Sequence, residues 1–515
     1  MLVFAGFVCV IAGGALHWPD FVMASSMGFR LTGMPVTPLM LTGMAVIAAG
    51  LVLTAVGLAL PAMRRGAGDG PSYRVEAMDE RRLTGTDVRL LAVLSFGLVI
   101  DVMKPATIGF VLPGAKAEYG LTTFQLTLWP LVALTGTAVG SLAWGIWADR
   151  IGRRGAMLLA VLLFIATSIC GAMPWYGLNL VMCFLMGSSA GGMLPLVFAL
   201  LAEVAPSRHR GVLAVLIGGL GSAGGYLAAS GAAALLEPAF SWRVLWLIGL
   251  PTGLVMAVLS RFIPESPRFL ILSGRTDEAR RALGAYGAKL EVHDGALGPA
   301  DRGAGSTLAA LGRSPYAVQT LGMVLFGFAW GIANFGFLTW LPTLLRRGTE
   351  GAALWNGVLA KSALIALPGA LLVTWLYGRW RTRGSIVTFA LLSALTLVVL
   401  GTVLARTAGG LVVGLLMVVL LVAINGSNAM VSVYAAEVYP TALRGKGTGL
   451  VAAATKLGGL LGPQVVAAIL ILGGGPTTTA WLVALPLCVA AVILWRRGIE
   501  TRERSLAEIQ VAIGR

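Results

Sequence analysis

Asp101 and Lys104 stand three residues apart in "LVIDVMKPATIGFVLP" (98–113), a stretch otherwise apolar enough to cross a bilayer. Residues at that spacing share a helix face. Counted from the cytoplasmic end assigned below, Asp101 lies about twelve residues in, roughly 18 Å at 1.5 Å per residue. That is close to the middle of a membrane, where a charge is costly unless it meets a partner or a wet cavity. Three roles fit the pair. Asp101 carries a proton, and a substrate anion that engages Lys104 promotes its protonation. Alternatively Lys104 binds a substrate carboxylate while Asp101 holds it in place. In the third, the two form a static salt bridge. Pro105, next to the pair, is expected to kink the helix and free backbone groups there.

Other polar groups fall at similar depth. Lys456, in "VAAATKLGGLLGP" (451–463), is also roughly 18 Å from the cytoplasmic end of its span. A role in binding a substrate anion or in coupling fits it better than snorkelling. Asn425 and Asn428 in "INGSNAM" share a face, Asn334 sits in "WGIANFGF", and Gln464 follows Pro463. Each can bind substrate or hydrogen-bond a neighbouring helix. Trp330, Phe335, Phe337 and Trp340 crowd one span and offer an apolar or aromatic contact surface. Lys361 lies near the outer end of its span beside Trp355, a place from which it can snorkel. Two intramembrane cations against one acid favour an anionic substrate, a small organic acid.

The elements that must hold these residues are membrane spans. The 515 residues are 57% hydrophobic and 12% charged, about half the charge of a soluble chain. Apolar runs of about 20 residues recur throughout, each long enough to cross a bilayer. Two precede position 64, at 1–16 and 38–63. Twelve more follow in two sets of six, at approximately 89–112, 125–148, 155–173, 177–201, 211–236 and 243–263, then 316–341, 353–376, 384–405, 409–435, 445–472 and 477–496. Residues 1–63 form an accessory hairpin, 64–88 a cytoplasmic linker, 89–263 one bundle, 264–315 a central cytoplasmic loop, 316–496 a second bundle and 497–515 a tail.

Arg and Lys set the orientation. "DRIGRR" (149–154), "SRHR" (207–210), "GRWRTR" (378–383), "RGK" (444–446) and "RRG" (496–498) fall on one side, with the linker and the central loop. Opposite loops carry few basic residues, among them Lys116 and Arg243. The basic side is cytoplasmic, which puts both termini there and makes the chain a multi-pass plasma-membrane protein. The net charge of +16 is accounted for by these loops, so a nucleic-acid partner is not implied. Four cysteines (Cys9, Cys170, Cys183, Cys488) sit inside apolar stretches without metal-ligand spacing. His17, His209 and His293 are far apart and are read as loop residues. No phosphate-binding G-x-x-x-x-G-K-[ST] loop is present. Neither a metal site, a cofactor nor an enzymatic activity is expected.

The two sets of six repeat one another. "LAEVAPSRHRG" (201–211) returns as "AAEVYPTALRG" (435–445), and "ADRIGRRG" (148–155) has a weaker echo in "YGRWRTRG" (377–384). Duplicated bundles point to a transporter with a midplane site between the halves.

These motifs carry a resemblance. "GSLAWGIWADRIGRRG" (140–155) resembles the loop after the second helix of the major facilitator superfamily, and "PESPRFL" (264–270) the motif after its sixth helix. "AEVYPTALRG" and "ETRERSLAEI" (500–509) are similar to its sugar-porter and metabolite:proton symporter branches, and "FLTWLPTLL" (337–345) to the seventh helix of organic-acid symporters. The first span resembles the opening helix of aromatic-acid:proton symporters, with Asp101 on that pattern's first Asp and Lys104 in place of its second. The resemblance covers residues 89–509. It implies an all-α polytopic protein of the major facilitator fold, two six-helix bundles plus two extra N-terminal helices, about 14 spans in all. It also implies a breakable cytoplasmic gate at Asp149, Arg150, Arg153, Arg154, Glu203, Arg210, Glu265, Arg268, Glu437 and Arg444. Gly378 stands where Asp149 stands in the first half, a departure from a symmetric gate. Sugar porters carry an Arg in the fourth span that answers the first-helix acid. Cys183 holds that position here, which leaves Lys104 as the local substitute.

The expected function is secondary active transport by alternating access, with protons and a small organic anion moving together. Asp101 and Lys104 would couple the proton. Lys104, Lys456, Asn334, Asn425, Asn428, Trp330 and Gln464 would bind substrate. An efflux antiporter, a sugar or polyol symporter and a non-transporting nutrient sensor are the alternatives. "GGLGSAGG" (218–225) lacks the Pro of the antiporter motif, and the Gln-rich seventh-helix pattern of sugar porters is absent from 316–341.

Overall fold

The computed structural model describes residues 1–63, 73–74, 83–284, 291–292, 311–312, 316–345, 352–405, 409–439 and 441–501. Most of the linker, much of the central loop, His293, Arg346, Arg347, Pro440 and the tail from 502 lie outside them.

The chain is helical almost throughout. α1 (Leu2–Ala15) and α2 (Trp18–Met23) lead through a 3-10 turn, Ala24–Met27, to α3 (Pro38–Met63). There follow α4 (Gly85–Tyr119), α5 (Thr123–Ile151), α6 (Arg153–Ala166), α7 (Tyr176–Val204), α8 (Ser207–Phe240), α9 (Val244–Leu247) and α10 (Gly249–Leu259). α11 (Pro267–Leu272) and α12 (Thr276–Gly284) are short helices beyond the last of these spans. After them come α13 (Ala317–Gly331), α14 (Leu338–Leu345), α15 (Ala352–Ala366), α16 (Gly369–Arg379), α17 (Thr382–Leu404), α18 (Gly410–Val438), α19 (Thr441–Ile471) and α20 (Pro476–Arg497).

Thirteen segments among the described residues are long and apolar enough to cross a membrane. The 14-residue α6 is too short to be one of them by itself, but a 3-10 turn, Thr167–Ala172, extends it by six residues. Counting that extended element, the described residues hold thirteen to fourteen spans, in line with the expected total of about fourteen. The first span is longer than the sequence suggests, running from Leu2 to Met27. His17 therefore lies within it, in the turn between α1 and α2, but it is buried, 1% exposed, with its Nδ1 2.9 Å from the Gly13 carbonyl. His209, by contrast, is helical, in the first turn of α8.

Local sequence explains the ends of the helix that matters most. Thr84 and Asp87 form a reciprocal capping box at the start of α4, and Gly120 closes it at φ 64°, the left-handed turn that glycine tolerates. Between them α4 runs unbroken through Pro105 and Pro113.

Two compact units partition the chain. One comprises Met1–Leu121, Val132–Gly211 and Leu235–Ala296, and the other Thr122–Leu131, Val212–Ala234 and Leu297–Arg515. In the first unit α1 and α3 pack antiparallel. A side chain at Gly13 would press on the Gly43 carbonyl at 2.6 Å, so glycine lets the two backbones approach. This hairpin also packs on α6. A two-residue ladder joins the linker to the central loop, Tyr73 opposite Val292 and Arg74 opposite Glu291. In the second unit α17 packs on α18 and α20, and α13 packs on α19 and α20.

Candidate functional site

Asp101 and Lys104 both lie on the buried face of α4, 8% and 1% exposed. The destination of the lysine was not legible in the sequence. Its ammonium donates to the Phe164 carbonyl at 2.6 Å and to Thr167 Oγ1 at 2.9 Å, and it stands 4.1 Å from the centroid of the Phe164 ring. Phe164 is in the last turn of α6, where the α-helix gives way to the 3-10 turn. Carbonyls at a helix C-terminus lack intrahelical donors, and the macrodipole there favours a cation. Lys104 supplies both a donor and a charge. Gly249 at the start of α10 makes room for the side chain: a Cβ there would stand 2.6 Å from Lys104 Cε and 2.9 Å from Nζ. Asp101 faces a small cavity walled by α4, α6 and α7, with Gly97, Phe164 and Ser189 among its lining residues.

The remaining candidates lie in the second unit, and several come together there. Between α13 and α14 the chain makes a π-helical turn, Ile332–Phe337, which contains Asn334. Such turns widen a helix by one residue and recur at functional sites. Trp330, one turn earlier, donates from Nε1 to the Ile424 carbonyl at 2.7 Å and meets Phe335 edge-on at 6.0 Å. Ile424 precedes Asn425 on α18, so this bond ties Trp330 to the backbone beside the first of the two asparagines. α19 packs against α13, α18 and the π-helical turn. A Cβ at Gly459 would sit 2.7 Å from the Phe335 ring, and one at Gly462 would sit 2.9 Å from the Gly336 nitrogen. Lys456 is half-buried one turn before these glycines. Gln464, one turn beyond, donates from Nε2 to the Thr127 carbonyl at 3.1 Å, while its Oε1 is buried without a hydrogen-bond partner. Asn334, Asn425 and Asn428 are each half-buried.

The cytoplasmic carboxylates have backbone partners. Glu265 Oε1 accepts from the amides of Arg153 at 2.7 Å, Arg154 at 3.3 Å and Ser266 at 2.9 Å, closing the N-terminus of α6. Burial pushes its carboxyl up, against the amides of Ser266, Arg154 and Arg153 and the Arg153 charge, which pull it down. The second half does the same with a residue the sequence reading singled out only as part of a tail motif. Glu500 Oε1 accepts from the Thr382 amide at 2.7 Å at the start of α17, and Arg383 donates to the Gly498 carbonyl at 3.1 Å. Both helices that follow the basic loops thus begin on a carboxylate from the segment after the sixth span of their half. Glu437 accepts from Tyr377 at 3.1 Å and from Thr501 at 2.6 Å, and burial pushes it up as well. Arg150 is exposed and Arg153 and Arg154 are half-buried. Asp149, Glu203, Arg210, Arg268 and Arg444 are placed on helices, but their side chains lie outside the described residues.

One charged cluster escaped the sequence reading, which used Arg243 only as a marker of topology. Arg243 is 0% exposed and pairs with Glu118 at 2.8 Å. It also donates to the carbonyls of Gly171 and Met173 and to the Tyr119 hydroxyl. Glu118 accepts in addition from Trp242 Nε1 at 2.9 Å and from the Leu31 amide at 2.9 Å. Glu118 and Arg243 are 125 residues apart in sequence, and no motif links them.

Set against known proteins, residues 94–463 match the sequence profile of the Major Facilitator Superfamily. The chain belongs to that superfamily. It is a multi-pass membrane protein and a secondary transporter, not an enzyme. It is similar to the 4-hydroxybenzoate transporter PcaK of Pseudomonas putida, 28% identical over 82% of this chain and 96% of the relative. It is also similar to the niacin transporter NiaP of Acinetobacter baylyi, 26% identical over 82% and 95%. Among solved structures, the proton:xylose symporter XylE of E. coli superposes with a TM-score of 0.65, at 19% identity over 82% of this chain and 98% of XylE, a likeness of fold. The resemblance of the chain to aromatic-acid and metabolite symporters is thereby upheld, and with it the all-helical fold of about 14 spans.

Proposed function

We propose that this transporter moves a small organic anion together with protons, and that its substrate is a ring-bearing carboxylate. The observation that carries the reading is Asp101: a carboxylate 8% exposed, about midway along a 35-residue spanning helix and facing a cavity. A charge buried at that depth marks a proton or ion path. Lys104, anchored on the end of α6, serves coupling by setting the field at Asp101 from the same helix face. Its hydrogen bonds to Phe164 and Thr167 leave less of the ammonium for substrate, so binding falls to Lys456 with Trp330, Asn334, Asn425, Asn428 and Gln464. A cation beside aromatic rings and amide groups suits a planar carboxylate. Two relatives named for 4-hydroxybenzoate and niacin support that class.

The cytoplasmic residues Asp149, Arg150, Arg153, Arg154, Glu203, Arg210, Glu265, Arg268, Glu437 and Arg444 form the inner gate in this reading. Both termini face the cytoplasm at the plasma membrane in this reading, and the ladder between the linker and the central loop fits their sharing one side. Residues 1–63 are an accessory hairpin beside bundles at 89–263 and 316–496.

Purified protein in proteoliposomes tests this directly. An inwardly acid-driven gradient should accumulate 4-hydroxybenzoate or niacin, and Asp101→Asn should abolish accumulation while retaining exchange. Full accumulation by that variant would remove Asp101 from coupling. Accumulation only when the gradient is reversed would make the protein an antiporter.

A further inference from the structure

The cavity beside Asp101 has a second polar wall that the coupling reading does not use. Ser189, on α7, lines it together with the acid on α4. Ser189 is 2% exposed, and its Oγ is buried without a hydrogen-bond partner. A helical serine usually satisfies itself on the carbonyl one turn back, as Ser188 next to it does with Phe184 at 2.9 Å. A hydroxyl buried without a partner loses more than an ordinary hydrogen bond contributes, so such groups generally meet ordered water. The rest of the lining is apolar apart from backbone, including Gly97, Ala160 and Met193. The cavity is small, on the scale of a single water molecule.

We propose that this cavity is a water site, that its one water bridges Ser189 Oγ and the Asp101 carboxylate, and that protons reach Asp101 through it. The inference rests on the reading of Asp101 as proton carrier and adds Ser189 as a positioning residue. The transfer is simple to balance. The water takes up a proton from the aqueous path and passes one to a carboxylate oxygen, so that a carboxylate and one proton become a carboxylic acid. The Ser189 hydroxyl keeps its own proton and orients the water. Gly97 contributes by leaving the wall low: a Cβ there would meet Met256 Cε at 3.1 Å. Ser189 therefore governs the rate at which the proton arrives, not the affinity for substrate.

Infrared difference spectroscopy on the purified full chain, between alkaline and acidic buffer, tests the site without a substrate. A water O–H band that shifts in H2¹⁸O should appear together with the Asp101 carboxyl band, and Ser189→Ala should remove the first and displace the second. In proteoliposomes the same variant should slow proton-driven uptake of 4-hydroxybenzoate about tenfold, the scale of one hydrogen bond to a charged group, and leave its exchange rate and KM unchanged. Ser189→Thr, which keeps the hydroxyl, should restore the rate. Absence of an isotope-sensitive water band in the unaltered protein overturns the proposal. So does an Asp101 band and an uptake rate that Ser189→Ala leaves in place while Asp101→Asn is inactive, a result that spares the carrier reading. Accumulation by Asp101→Asn overturns both.

Discussion

Arg243 and Glu118 meet 2.8 Å apart at the end of α4, both nearly sealed from solvent, and the same carboxylate accepts from the amide of Leu31, in the segment that leads into α3. Thr32 adds its hydroxyl to Glu118 at 3.0 Å. The two N-terminal spans are thus tied to the rest of the first unit at a charged node as well as through α6. Removing Arg243 would leave Glu118 as an uncompensated buried charge. Arg243→Ala should lower stability by about 3–5 kcal/mol, read as a fall in the thermal unfolding midpoint in detergent. Arg243→Lys should recover little of it, because one ammonium cannot reach the carbonyls of Gly171 and Met173, the Tyr119 hydroxyl and Glu118 together. Unchanged unfolding in Arg243→Ala would show that the node contributes nothing.

Gly152 should resist substitution for two separate reasons. Its φ of 92° lies where other residues are strained, and a Cβ on it would collide with the Glu265 carboxylate. Gly152→Ala should cost about 1–3 kcal/mol. Combining it with Glu265→Ala should cost less than the two single changes summed, since the collision is then gone.

Stability should depend on pH through Glu265 and Glu437. Burial raises both carboxyls above their ordinary 4.5. An acid raised in this way binds its proton more readily folded than unfolded. Its contribution is complete below pH 4.5 and is lost as pH rises through the folded value. Glu265→Gln and Glu437→Gln should each flatten the fall of the unfolding midpoint across that rise. An unaltered slope in both variants would rule these groups out as its source.

Gly249→Ala should act on coupling at a distance from any substrate. Its methyl group would push Lys104 off the end of α6, with an overpacking cost of about 1–3 kcal/mol. Proton-driven uptake should fall while exchange and KM hold. A change in KM alone would instead place the Lys104 ammonium on the substrate.

Lys456→Ala should raise the KM for a ring carboxylate about tenfold, the loss of one charge-assisted contact. It should leave transport of a neutral ring amide unaffected. Equal effects on both would show that Lys456 holds the helix, not the anion.

The order of the spans, their approximate number, their duplication and the presence of Asp101, Lys104 and Lys456 within them were all determined by the linear chain. Hydropathy and helical spacing act locally, and a membrane forces every long apolar run into the same element. Motif residues such as Glu265 could be named for the same reason, though not their partners. Where each charge ends was decided by the tertiary structure. That Lys104 finishes on Phe164 depends on α6 breaking into a 3-10 turn at Thr167. That Glu118 finds Arg243 depends on helices 125 residues apart meeting at one end. Glu500 at Thr382 and Ser189 beside Asp101 depend equally on which helices pack together. Hydrogen bonds and ion pairs act over a few ångströms of space, and sequence distance says little about which groups will share that space.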